Sequence, residues 1–512
     1  MGTATPVLML GLDAADEARI DALAARGRLP ALTALRAAGT SGSLASGADL
    51  FAGGVWPSFY TGRDVAWHGI YHNKLWRPEA MRYEVPTDRW LGARPFWEEW
   101  RGRGLRACIV DVPMILGKPR PLDGIYVGGW GTHDLISRGS WPEGLWAGLA
   151  RRHGRPAMPR ERFGRQTTGS LLALRGELLR SIEQSADVAL DLLGRERWDF
   201  SCIVFGAVHR IGHYLTDLSQ LADEPSPRER EILEGAVDEL YEATDHAMAR
   251  LLERVDPGTR IVAFALHGMG PNPGWSDLMA DILREAEAAS TGRAARTGLL
   301  YAVRRRMPMH LVRPLLNRLP GGASDALVAL WSSGMLDWRR TRHFPMPMDH
   351  AAYLRVNLRG REREGIVGEG EYAQACAALA AVVEGLHDRK DGACIAGRAA
   401  HAFADAPGDA PCRHLLPDLV VPWSGPRAGS FAELTSDALP SLRYRVPARL
   451  PSGRSGNHLG RGWFVARGPG IAAKRRVAGH DIRDLAPTVE GWLGIEPRDR
   501  RPGRRIPVAA EA

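Results

Sequence analysis

Residues 6–13 read PVLMLGLD, seven residues without a charge or a polar side chain, closed by an aspartate. A continuous apolar run of that length predicts a strand covered on both faces, as in a parallel sheet. Asp13 then stands at the strand's carboxyl end. Residues 16–26 follow with apolar side chains at Ile20, Leu23 and Ala24, the spacing of an amphipathic helix. Gly27 and Pro30 stop it, and a second helix is predicted over 31–38. The alternation recurs: 105–110, 200–205 and 260–265 are predicted strands, and 171–193 and 228–253 predicted helices. Strands alternating with helices predict an α/β domain built on a mostly parallel sheet.

After Gly268 the character changes. Residues 272–345 read as a helical, Arg-rich insertion or lid interrupted by Pro308, Pro314 and Pro320, with eight arginines between Tyr301 and Pro345. That charge would suit an anionic substrate. Strands are predicted again at 351–358, 419–421 and 463–466, and helices at 371–386 and 485–493. Asp481 and Asp484 are candidate N-caps for the last of these. The expected organisation is a core of 1–271 and 346–497, the insertion 272–345, and a basic, poorly ordered tail, 498–512.

With 512 residues, 45% hydrophobic and 25% charged, the chain can bury one large core plus an insertion. That composition excludes a disordered chain, a collagen-like repeat and a small disulfide scaffold. No apolar run approaches the roughly 18 residues of a membrane span, and residues 1–12 lack the basic start of a signal peptide. Cys108, Cys202, Cys376, Cys394 and Cys412 are scattered without a CxxC spacing, which predicts buried thiols in a reducing cytoplasm. The net charge of +8 comes from arginine, with only four lysines, and is spread along the chain. No stripe of aromatics accompanies it, so nucleic acid is not the expected partner.

In open parallel sheets, ligands sit outside the carboxyl ends of the strands. Asp13, His209 and His267 occupy that position. His209 and His213, in HRIGH, would share one face of a helix opening directly after a strand. Such a pair is common as an ordinary helix face; the position after a buried strand is what aims it at the ligand edge. His267 in ALHGMG and His458 in SGNHLGRG read locally as a turn and a loop histidine. Taken together, neutral imidazoles with a carboxylate are the ligands zinc prefers.

Six stretches now occur in a telling order: GLDAAD (11–16), WPSFYTGRDVAWHGIY (56–71), HRIGH (209–213), LHGMGPN (266–272), NHLGRGWFVARGPGI (457–471) and DIRDLAPTVEGWLGI (481–495). This pattern resembles the alkaline phosphatase superfamily in its type I phosphodiesterase and nucleotide pyrophosphatase branch. The resemblance implies an α/β three-layer sandwich with a helical cap, two divalent metals, usually zinc, and a Thr or Ser nucleophile. It also implies substrates such as phosphodiesters, phosphomonoesters, sulfates or phosphonates.

Matched residue by residue, the resemblance departs at three points. Asp13 and His267 match ligands of one metal, but the aspartate expected before His267 is Leu266. His213 and His458 match ligands of the other, but the aspartate expected four residues before His213 is His209. The nucleophile position, nine residues before the TG of FYTG, is Ala52. Alanine has no lone pair for phosphorus, so the covalent route is closed and no catalytic residue is assigned. The metal candidates are therefore Asp13, His209, His213, His267 and His458, with one zinc favoured over two. Three histidines with an open fourth position would lower the pKa of a bound water to about 7. The expected function is metal-dependent hydrolysis of a small anionic phosphate, phosphodiester or related ester. The alternative is an inactive family member that binds a metal or an anion.

Overall fold

The first strand, β1 (Val7–Leu12), is buried at every position and feeds two cores. Val7 and Met9 pack on one side of it, and Leu8, Leu10 and Leu12 on the other. This two-sided burial is why the stretch shows no polar alternation. The structure, a computed structural model, describes residues 5–87, 90–117, 119–132, 138–159, 164–291, 336–346, 348, 350–425, 428, 431–447, 450, 452–496 and 501–509.

The strands that share its sheet follow in chain order as β2 (Thr40–Ala45), β3 (Ala107–Val110), β4 (Gly124–Gly128), β5 (Gly139–Trp141), β6 (Phe200–Phe205) and β7 (Arg260–Ala265). Then come β8 (Gly268–Pro271), β9 (Gly456–Leu459), β10 (Arg461–Arg467) and β11 (Arg475–Asp481). Among the described residues, nine of them form one sheet in the order β11-β2-β10-β7-β1-β6-β3-β4-β5. β1 is parallel to β6 and β7; only β10 and β5 run antiparallel to their neighbours. β8 and β9 form a separate antiparallel ribbon beyond the sheet's edge.

Helices α1 (Glu17–Ala25) and α2 (Pro30–Ala37) follow β1, and α3 (Val55–Thr61) follows β2. Farther along the chain are α4 (Thr168–Leu193), α5 (Ala207–Leu215), α6 (Pro227–Leu252) and α7 (Leu485–Trp492). Residues of α1, α2, α4, α5 and α6 pack in the core on one face of the sheet, and residues of α3 and α7 in the core on the other. This is the expected three-layer sandwich. Local chemistry starts the helices: Asp16 caps α1 by accepting from Arg19 N, and Ser226 with Glu229 forms a capping box on α6.

Register aligns the strand ends. Leu12 pairs with Phe205 and Gly11 with Phe264, and Asp13 N donates to Phe205 O at 3.0 Å. The segments after β1, β6 and β7 therefore emerge side by side, which places Asp13, α5 and His267 on one edge.

Two expectations are corrected. The reading of 272–345 as helical holds for Met279–Thr291, but His343–Met346 is a strand pairing antiparallel with Ala351–Val356. Phe344 there is buried in the core, and that burial overrides the helical reading. Residues 292–335, with most of the insertion's arginines, lie outside the described residues. The tail read as poorly ordered is docked over 501–509. Arg501 is buried on Glu490 and Glu99, and Ile506 and Val508 enter the core. The sequence shows the positive charges but not the buried carboxylates that receive one of them. Among the described residues, no helix is long and apolar enough to cross a membrane.

Candidate metal centre

Helix α5 opens one residue after β6, with Gly206 as its cap, and presents His209 and His213 one turn apart. The glycine between them matters. A Cβ on Gly456 would overlap the carbonyl oxygen of Gly212, and one on Gly212 would lie 2.7 Å from Met269 Cγ. Paired glycines therefore let α5 press against the β8–β9 ribbon. Ser455 N donates to His213 O at 2.8 Å across that contact. His458, on β9, is thereby carried to the two helical histidines.

The three imidazoles meet. His209 Nε2 lies 2.9 Å from His213 Nε2 and 2.8 Å from His458 Nε2. Among the described residues, these three are the group whose donor atoms all lie within 4.8 Å of one another. The acceptors facing the rings fix two tautomers. His209 Nδ1 donates to Asp13 Oδ2 at 2.6 Å and His213 Nδ1 to Gly456 O at 3.0 Å. In the neutral rings both Nε2 atoms are then left as lone pairs aimed at one point. Such convergence calls for a proton or a cation. Nitrogens around a tetrahedral zinc stand about 3.3 Å apart, a few tenths of an ångström wider than here, so the donor set fits a divalent ion.

Asp13 and His267 lie alongside this cluster. Asp13, 1% exposed, also accepts from Trp56 Nε1 at 2.9 Å on Oδ1, with His267 Nε2 at 3.5 Å from the same oxygen. His267 Nδ1 faces Gly268 O at 3.1 Å, and its ring centroid lies 4.8 Å from that of His458. All five sequence candidates therefore stand together. Burial alone would raise the Asp13 pKa; His209 and then His267 outweigh it and hold the carboxyl well below its usual value. Burial pushes His213 and His458 well below the ordinary histidine value, helped by the charge of Arg454 and the neighbouring imidazoles. Both are thus kept neutral, as metal ligands must be.

Ala52 begins the turn that leads into α3, and its N–H donates to His350 Nε2 at 3.2 Å. Leu266 is fully buried in the core with Trp56 and Phe264. Trp56, Phe59 and Tyr60 are core residues with 4%, 0% and 0% exposure. Sequence reading missed His350, whose ring lies 6.3 Å from that of His458 and whose Nε2 also meets Tyr353 Oη and Leu50 O. It precedes a strand of a different sheet, and no spacing links it to the site.

The sequence pattern of the type I phosphodiesterase / nucleotide pyrophosphatase family matches residues 7–422. The chain belongs to that family. Its members are ester-bond hydrolases. Among solved structures, the chain is similar to phosphonoacetate hydrolase from Sinorhizobium meliloti 1021, at 15% identity over 96% of each chain and a TM-score of 0.52. It is also similar to murine ectonucleotide pyrophosphatase/phosphodiesterase 5, at 12% identity over 97% of this chain and 96% of that one, with a TM-score of 0.50. At such identities the likeness speaks for the fold. No curated protein matches the chain in sequence.

Proposed function

We propose that this family member hydrolyses a small anionic phosphate, phosphodiester or related ester with a single divalent cation, zinc by donor chemistry, held by His209, His213 and His458. One observation carries the reading: three imidazole nitrogens meet at 2.8 and 2.9 Å, with two of the rings anchored through their other nitrogen. When bound, the cation supplies Lewis acidity and an activated water. Ala52 offers no attacking oxygen, so hydrolysis proceeds in one displacement with no phosphoryl group on the chain. Leu266 leaves Asp13 and His267 as the two remaining groups for a second ion, usually too few for tight binding. Phosphonoacetate, bound in one of the similar structures, is a small phosphorus-containing anion, a phosphonate and not an ester. The cysteines, four buried and all free, accord with a cytoplasmic setting.

Metal analysis coupled to ester hydrolysis tests the reading. The purified protein is expected to carry one zinc per chain and to lose both metal and hydrolysis to a chelator or to His213→Ala. Hydrolysis that survives His213→Ala sinks the proposal. The double variant Ala52→Thr, Leu266→Asp addresses the alternative: if ester cleavage appears only there, the natural chain is a binding module.

A further inference from the structure

Asp13 matches a metal ligand of the family, yet its surroundings here are those of a hydrogen-bond anchor. Oδ2 is 2.6 Å from His209 Nδ1, and Oδ1 receives the Trp56 indole N–H at 2.9 Å. Glycine at residue 11 leaves room for the indole: a Cβ there would stand 3.3 Å from its edge, 3.2 Å from Phe264 and 3.0 Å from Val204. Leu266, the residue before His267, belongs to the apolar core. Both oxygens of a carboxylate at 1% exposure thus meet side-chain donors, with His267 Nε2 3.5 Å from Oδ1.

We propose that Asp13 is a positioning residue for a one-metal centre, locking His209 with its proton on Nδ1 so that Nε2 faces the ion, and that Trp56 in turn locks Asp13. The inference rests on the metal site proposed above. Its physical basis is general: a carboxylate bonded to the far nitrogen of a ligating imidazole fixes the ring's orientation and tautomer and raises its basicity. The residue at 209 and the role of residue 13 are then linked. With an imidazole in place of a carboxylate at 209, the adjacent Asp13 becomes its outer partner. The aspartate then carries its negative charge behind the His209 ring, one hydrogen bond outside the ligand.

The test uses the full chain. Zinc affinity is measured by competition with a chromophoric chelator, stoichiometry by elemental analysis, and the His209 tautomer by nitrogen-15 NMR of the imidazoles. Asp13→Asn is expected to retain one zinc per chain with affinity lowered about 10- to 100-fold, and to lose the pure Nδ1–H tautomer. Trp56→Phe, which keeps an aromatic ring but removes the donor, is expected to lower affinity about 3- to 10-fold, and covers the case in which Asp13→Asn fails to fold. Unchanged affinity in a folded Asp13→Asn protein overturns the inference. So does a natural chain that binds two ions where Asp13→Asn binds one, because Asp13 would then be a ligand. These outcomes differ from failure of the site itself, which would show as unaltered zinc binding in His213→Ala.

Discussion

At the scale of single residues, the centre depends on atoms that are missing as much as on those that bind. His213 and His458 come from segments more than two hundred residues apart, and Gly212 and Gly456 are what let those segments touch. Replacing Gly456 by alanine forces its Cβ into the Gly212 carbonyl, which is backbone and cannot swing aside. Gly456→Ala is expected to cost about 2–3 kcal/mol of stability and to weaken zinc binding by spreading the two histidines. Gly235, on the exposed side of α6 with nothing within 4 Å of an added Cβ, is the control. Gly235→Ala is expected to be stabilising by about 0.5–1 kcal/mol with zinc affinity unchanged. Denaturant unfolding and a zinc titration of both variants decide it; equal losses in the two would remove the special role of the glycine contact.

At the scale of elements, β6 and β7 were legible to the residue, because both are mostly apolar runs, FSCIVF and RIVAFA, each following a long charged helix. Helices α1, α4 and α6 were legible to within a few residues from their apolar periodicity. The β8–β9 ribbon was not. Gly268–Pro271 and Gly456–Leu459 are short and glycine-rich, so neither carries a periodicity, although the ribbon delivers His458. The five polar candidates were legible from strand ends and family motifs. The hydrogen bonds among them were not, since the choice between ligand and anchor for Asp13 is a matter of which nitrogen of His209 it meets. The docked tail was hidden for a related reason: its anchor is a buried ion pair assembled from distant segments. Arg501 donates to both oxygens of Glu490 at 2.8 and 2.7 Å and to Thr61 O at the end of α3, and pairs with Glu99 at 2.7 Å. Arg501→Met leaves two carboxylates without their buried partner and is expected to cost about 3–5 kcal/mol. Adding Glu490→Gln should recover part of that loss, because one stranded charge is removed. If Arg501→Met unfolds at the same denaturant concentration as the natural chain, the tail is an ornament and not an anchor.

At the scale of the whole molecule, two buried groups far from each other in sequence set opposing pH dependences. His68 is fully buried; its Nδ1 accepts from Ile70 N at 3.0 Å, and its Nε2 meets Ser58 Oγ at 3.0 Å. Burial lowers its pKa from 6.5 to about 3. Below pH 6.5 the unfolded chain therefore binds a proton that the folded chain refuses, and stability falls with falling pH. The loss between pH 7 and 5 is about 2 kcal/mol. Asp111, also fully buried, accepts from Trp130 N at 2.7 Å and Gly131 N at 2.5 Å, yet burial dominates and lifts its pKa from 3.8 to about 7. Here the folded chain holds the proton between pH 3.8 and 7, so acidification stabilises, again by about 2 kcal/mol between pH 7 and 5. The two nearly cancel in the natural chain. Single variants should expose them with opposite signs. Relative to the natural protein, the stability of His68→Gln should rise by about 2 kcal/mol on going from pH 7 to 5. That of Asp111→Asn should fall by about the same amount. Comparing each variant with the natural chain at both pH values removes the contribution of the other buried histidines, which is common to all three proteins. Parallel pH profiles for the three would mean that neither group titrates differently in the folded and unfolded states, and the opposition inferred from their burial would be wrong.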